Sequence, residues 1–124
     1  ECGRLPLWVH TFTPITRRGI RTLGDIAKRH PHVPIIFGHG GGYSWMDTVA
    51  IVRDHKNAWF DLSAVFSPLS ARVAMNEVPD RCLFGTDAPY GDPVLSRALI
   101  ERTSPSDAVT EAVLGTNVQR LLKI

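Results

Sequence analysis

Apolar residues along the chain fall in four short runs, each followed by Gly, Pro, Ser or Thr and then by a stretch with helical spacing. The first run is Leu7-Trp8-Val9-His10-Thr11-Phe12; beyond the Thr13-Pro14 break, Ile20, Leu23 and Ile26-Ala27 share one helical face that continues to Arg29. The second is Pro34-Ile35-Ile36-Phe37-Gly38-His39, then Gly40-Gly41-Gly42 and a helix with Met46, Val49, Ala50 and Arg53 on one face. Ala58-Trp59-Phe60-Asp61-Leu62-Ser63 is the third, before a shorter helix around Leu69 to Glu77. The fourth is Arg81-Cys82-Leu83-Phe84-Gly85-Thr86-Asp87, after which Asp92 reads as an N-cap, Pro93 as the first helical residue, and Leu95, Ala98 and Leu99 as the apolar face. The tail reads as two helical pieces split by Gly115, the second capped by Asn117.

A βα unit repeated four times accounts for this pattern. The later strands open at positions 34, 58 and 82, at equal intervals that each hold one strand, two loops and one helix. Ile35-Ile36-Phe37 and Cys82-Leu83-Phe84 are continuously apolar, as parallel strands covered on both faces must be. No linker, repeat of another kind or low-complexity tract interrupts residues 1–124, which are expected to form a single α/β domain. A complete (β/α)₈ barrel takes roughly 200 residues or more, so 124 cannot close one. The start, Glu-Cys-Gly-Arg, has neither an initiator Met nor a signal peptide, so the chain is expected to begin mid-protein.

Composition narrows the function classes. The chain is 44% hydrophobic and 21% charged with a net charge of +2, and no like-charge run exceeds Arg17-Arg18. It thus lacks the electrostatic footprint of a nucleic-acid or membrane-surface binder. No stretch approaches the ~18 apolar residues of a membrane span. Two cysteines, Cys2 and Cys82, are too few for a disulfide framework, and Cys82 within an apolar run reads as a buried, reduced thiol. A cytoplasmic location is expected.

The chemistry concentrates at strand ends. In parallel α/β folds the C-terminal ends of the strands form the active face, because the βα loops gather there. Three of the four runs end in a side chain able to ligate a metal: His10, His39 and Asp87. Alternation along the strands pairs Trp8 with His10, Phe37 with His39 and Gly85 with Asp87 on shared faces, which sets apolar filler beneath a polar tip. Two imidazoles and a carboxylate suit Zn²⁺ first, with Mn²⁺ or Fe²⁺ as alternatives, and three protein ligands leave a position open. His39 within Gly38-His39-Gly40-Gly41-Gly42 also allows close backbone approach to a ligand, although neither GxGxxG nor a phosphate-loop Lys is present. Asp61 and Ser63 on the third strand either face the pocket or bond neighbouring loops. Tyr43, Trp45, Phe66 and Tyr90 follow strand ends and either wall a substrate pocket or pack loops on the rim, the second reading being preferred for Trp45. His30, His32 and His55 read as solvated, and Cys82, internal to its strand, is not expected to be a nucleophile.

At these residues the sequence resembles the amidohydrolase superfamily, in the amidohydrolase-related branch that includes aminocarboxymuconate-semialdehyde decarboxylase. The resemblance is carried by Leu7-Trp8-Val9-His10-Thr11, Pro34-Ile35-Ile36-Phe37-Gly38-His39-Gly40-Gly41, Trp59-Phe60-Asp61-Leu62-Ser63, Asp80 to Gly91, and the tail Leu114-Gly115-Thr116-Asn117-Val118-Gln119-Arg120-Leu121-Leu122. It implies the C-terminal half of a (β/α)₈ TIM barrel, strands five to eight with outer helices. By the same resemblance His10, His39 and Asp87 are the metal ligands, and His39 and Asp87 are also catalytic. The family's His-x-His at the end of strand one has no counterpart, since His30 and His32 are separated by Pro31 and lie before the second run.

The expectation is a metal-dependent hydrolase in which metal-activated water attacks a C–N or C–O carbonyl substrate. The alternatives are a non-oxidative decarboxylase of the same superfamily and an incomplete half-barrel that only self-associates. Ser63, Phe66 and Tyr90 are the candidate substrate contacts and a small molecule the expected partner. Four parallel strands leave unpaired edges, so a homo-oligomer is also expected.

Overall fold

The computed structural model describes residues 5–124. Cys2, one of the two cysteines, lies outside the described residues. Four parallel strands, β1 (Leu7–His10), β2 (Ile35–Gly38), β3 (Ala58–Asp61) and β4 (Cys82–Leu83), form one sheet in the order β1-β2-β3-β4. Register pairs His10 with Gly38, Phe37 with Phe60 and Asp61 with Leu83. Between and after them run α1 (Arg17–Arg29), α2 (Trp45–Asp54), α3 (Pro68–Glu77), α4 (Pro93–Thr103), α5 (Asp107–Glu111) and α6 (Asn117–Leu122). The expected βα repeat is present in every unit. The strands are shorter than the apolar runs because the chain leaves the ladder at His10, Gly38, Asp61 and Leu83 to form the loops that carry the polar residues.

Helix starts follow local chemistry. Asp92 accepts from the amides of Val94 (2.7 Å) and Leu95 (3.0 Å), with Pro93 in the first turn, as its sequence context predicts. Thr16, Ser67 and Ser106 cap α1, α3 and α5 through their hydroxyls. The tail departs from expectation. Gly115 does not split it: α5 passes through a π turn, Ala112–Thr116, directly into α6. Nor is Asn117 a cap. Its buried amide donates to the carbonyls of Pro79 and Cys82, both at 2.8 Å, and so pins the tail to the start of β4. Two fixed carbonyls satisfy a buried carboxamide better than a free helix end would.

The two faces of the sheet differ. Ile35, Phe37, Ala58, Phe60 and Cys82 pack with Ile20 and Leu23 of α1, Val49 and Val52 of α2, Ala71, Ala74 and Met75 of α3, and Ile100 of α4 in one core. Successive strand residues point to opposite faces. The other face therefore carries Trp8, Ile36, Trp59 and Leu83, with Leu121 of α6 packed on the last three. Trp8 is left about half exposed on it. Burial pushes the Cys82 thiol well above its ordinary pKa, so it stays protonated and is no nucleophile. Among the described residues no helix is long and apolar enough to cross a membrane.

On the outside, Arg17 and Arg21 of α1 both reach Asp47 of α2, at 2.6 and 3.2 Å. The hydrogen bond from Arg17 holds the Asp47 carboxyl below its ordinary value of 3.8. A depressed folded pKa contributes stability above the unfolded value, and that contribution is lost as pH falls through the folded one. Asp47→Asn should therefore flatten the acid side of the stability curve, followed as urea midpoints between about pH 2.5 and 7. An acid limb identical to that of the parent would show that the bridge contributes nothing.

Candidate active site

All four strand C-termini open on one end of the sheet, and there the backbone turns abruptly. His39, Ala64 and Asp87, which follow β2, β3 and β4, have φ of 63°, 49° and 57°, in the left-handed region that non-glycine residues seldom occupy. Such strain is maintained where surrounding contacts over-determine the conformation, commonly at functional sites. The turn also corrects the expected face assignment. Phe37 does not share a face with the site; it is fully buried under the helices. Strict alternation stops at Gly38, and the left-handed twist at His39 carries its ring back toward β1. Any side chain at residue 38 would collide with the Trp8 indole, so glycine there lets the indole lie across β2.

The His39 imidazole stands 4.9 Å from that of His10, centroid to centroid, at an interplanar angle of 75°. Trp8 packs edge-on against it at 5.3 Å. Each imidazole has one nitrogen already committed. His10 Nε2 lies 3.1 Å from the carbonyl of Thr13, and His39 Nδ1 lies 3.2 Å from the carbonyl of Ser63 and 2.9 Å from its hydroxyl. A carbonyl oxygen only accepts, so both of these nitrogens carry the proton. In the neutral rings that leaves the lone pairs of His10 Nδ1 and His39 Nε2 without a hydrogen-bond partner among the described residues. A ring whose far N–H is held by a backbone carbonyl is the usual state of a metal-ligating histidine.

The third expected ligand is placed differently. Asp87 is half-buried, and among the described residues no group of three or more His, Cys, Asp or Glu is arranged to hold a metal ion. The structure thus brings His10 and His39 together and does not bring Asp87 into a cluster with them. The donors fit a divalent metal in kind, and in number they are two.

Beneath the imidazoles lies Asp61, whose central place the strand-end pattern did not single out. It is only 5% exposed and accepts from the Trp8 indole (3.3 Å), the His39 amide (3.1 Å), the Ser63 amide (3.1 Å) and the Ser63 hydroxyl. The available signal was its position at the exit of β3, level with the other polar tips and two residues before a serine. Thr11 plays a similar part at β1: its hydroxyl donates to the Gly38 carbonyl and accepts from the Gly41 amide at 2.8 Å, tying β1 to the glycine turn.

Beside His39 is a cavity of about 310 Å³ lined by Phe12, Tyr43, Trp45, Val65 and Phe66, with Ser67 and Ser70 among its few polar groups. Phe66 is thus at the cavity, on its exposed rim. Trp45 both lines it and packs against the helix-side core, so the two readings of that residue hold together. Ser63 does not line it, since its hydroxyl is engaged by Asp61 and His39. Tyr90 does not line it either and is almost fully exposed.

A model of the amidohydrolase family matches residues 2–124. The chain belongs to the amidohydrolase family. No curated protein matches it. Among solved structures it is similar to a dihydroxybenzoic acid decarboxylase from Polaromonas sp. JS666 with bound manganese and 2-nitroresorcinol, at 24% identity and a TM-score of 0.66 over 84% of this chain and 38% of that one. A 2,6-dihydroxybenzoate decarboxylase from Rhizobium matches at 19% identity and a TM-score of 0.71, over 97% and 51% of the two chains. An uncharacterized TIM-barrel protein from Bordetella bronchiseptica matches with a TM-score of 0.83 at 16% identity, over 98% and 47%. The amidohydrolase chain therefore spans about half, or less, of the structures it matches. At these identities the likeness is one of fold, and it agrees with a parallel sheet whose α1–α4 all pack on one face.

Proposed function

We propose that these residues form the strand-five to strand-eight half of a (β/α)₈ barrel enzyme of the amidohydrolase family that acts, with a divalent metal, on a small carboxylate or carbonyl compound. The observation that carries this reading is the imidazole pair at the ends of β1 and β2, with one nitrogen of each ring fixed to a backbone carbonyl and the other without a hydrogen-bond partner among the described residues. His10 and His39 are the proposed nitrogen ligands and Asp87 the proposed carboxylate, with zinc first and manganese or iron as alternatives. When bound, such an ion polarises an oxygen of the substrate or lowers the pKa of water.

Of the two outcomes, non-oxidative decarboxylation is favoured by the cavity. Aromatic walls and about 310 Å³ suit a single planar ring, and two of the similar structures are named as dihydroxybenzoate decarboxylases. Loss of CO₂ from such a ring requires a proton delivered to the carbon that bears the carboxylate, while the electrons of the breaking C–C bond return to the ring. Asp87, at the exit of β4, is the group proposed to relay that proton, taking it up from water on one carboxylate oxygen and passing it to the ring carbon. Hydrolysis is the second reading, in which His39 and Asp87 take the proton of the attacking water. The half-exposed Trp8 and the unpaired edge of β1 support self-association when this segment stands alone, which light scattering tests.

The deciding experiment uses the full-length protein as purified. Its metal content is measured, and it is offered 2,6-dihydroxybenzoate and, separately, an amide and an ester panel, with and without chelation. Release of CO₂ that chelation abolishes and one added metal restores is the expected result. Metal-dependent turnover of amides or esters alone would move the assignment to the hydrolase, and no metal with no turnover would overturn both.

A further inference from the structure

The geometry points to Asp61 as a positioning residue that acts through Ser63 to hold His39 in the Nδ1–H tautomer, keeping the Nε2 lone pair available to the site. The inference deepens the reading of His39 as a functional imidazole and rests on it. The Ser63 carbonyl and hydroxyl both lie within hydrogen-bonding distance of His39 Nδ1 (3.2 and 2.9 Å); the longer carbonyl contact favours a proton on that nitrogen, and the shorter hydroxyl contact, which can donate or accept, is the one whose direction Asp61 sets. With Nδ1–H donating, the hydroxyl oxygen of Ser63 accepts and its own hydrogen is free for Asp61, the partner it has. The order of protons along the chain is then set from its buried end: carboxylate, hydroxyl, imidazole N–H, free Nε2. An ionised carboxylate can only accept, so it dictates the direction of every bond above it.

Other observations argue against a purely local cap for the turn after β3. Asp61 gathers donors from three strands: the indole of Trp8 on β1, the amide of His39 after β2 and the Ser63 pair after β3. No Lys or Arg among the described residues forms a salt bridge with it, so these hydrogen bonds are what stabilise its buried charge. The segment after β4 also makes room for it. A Cβ at Gly85 would come within 2.7 Å of Asp61 Oδ1 and 2.8 Å of Ser63 Cβ. The Trp8 donor is in turn placed by the glycine at residue 38 over which the indole lies.

The test reads the tautomer directly. The full-length, metal-free protein is labelled with ¹⁵N-histidine, and the His39 ring nitrogens are assigned by long-range ¹H–¹⁵N correlation at alkaline pH, where the imidazole is neutral. The parent should show Nδ1 protonated and Nε2 bare. In Asp61→Asn the carboxamide N–H₂ can donate to the Ser63 hydroxyl and reverse the chain, so protonation should move to Nε2, as a carboxamide in place of a histidine-orienting carboxylate does elsewhere. Turnover or metal affinity should fall about 10–100-fold with it. Ser63→Thr, which keeps the hydroxyl, should retain the parent spectrum. An Nε2–H parent overturns the inference, and so does an Asp61→Asn protein that folds and keeps the Nδ1–H pattern. If Asp61→Asn does not fold, Ser63→Ala decides, because it cuts the link to Asp61 and keeps the carbonyl: a weakened Nδ1–H preference is expected, and an unchanged Nδ1–H spectrum overturns the inference. The expected tautomer in a protein with no metal and no turnover would leave the inference standing and sink the proposed function instead.

Discussion

His39→Asn is expected to lower turnover by about 10²–10⁴-fold with little change in the stability of the fold, as for a group that handles a proton or a ligand at the reacting centre. Asparagine is the informative replacement, because residue 39 has φ of 63° and asparagine tolerates the left-handed region better than most residues. Alanine would add a conformational penalty to the chemical one. The variant removes Nε2 from the imidazole pair, so metal content measured on the same sample should fall with the rate. His10→Ala gives the companion result: His10 is exposed, so the folded state loses little packing while the pair loses its second ring. Turnover within threefold of the parent in His39→Asn, with metal retained, would remove His39 from the active site.

Phe60→Ala is expected to cost about 3–5 kcal/mol, a large share of the stability of an ordinary domain. Phe60 is fully buried in the helix-side core, between its register partners Phe37 and Cys82. Its ring also lies directly beneath the turn after β2, where a Cβ at Gly40 would come within 2.4 Å of it. The cavity left by alanine therefore opens under the segment that carries His39. Urea denaturation should show the loss, and residual activity should fall by more than the unfolded fraction explains. A cost below about 1 kcal/mol would mean that the turn and core repack around the gap, against the usual behaviour of close-packed interiors.

The site was partly legible before the fold was known. His10 and His39 stood out because each ends an apolar run, and a parallel sheet gathers strand ends. The same logic named Asp87, which the fold places at the exit of β4 without drawing it into a cluster with the imidazoles. Asp61 has two readings in the sequence, since a carboxylate at a strand end looks alike whether it meets substrate or accepts from buried donors. Which it does depends on Trp8, His39 and Ser63, and Trp8 is 53 residues away in sequence. Alternation puts Phe37 on the face of His39 only if the strand continues through residue 39, and the backbone reverses there. Its sequence context gives Asn117 a local role as a cap, whereas its partners are Pro79, before β4, and Cys82, the first residue of that strand.

Local and periodic properties were thus determined by sequence alone: four βα units, the Asp92-Pro93 helix start, a buried inert Cys82, and polar tips at the strand ends. Each depends on residues a few positions apart, where side-chain chemistry and backbone preference act directly. Only the tertiary structure decided which polar tips meet, which nitrogen of each imidazole keeps its proton, and which face Phe37 fills. Those outcomes depend on hydrogen bonds between different strands and on left-handed residues at strand exits, and a one-dimensional pattern carries no distance between such groups.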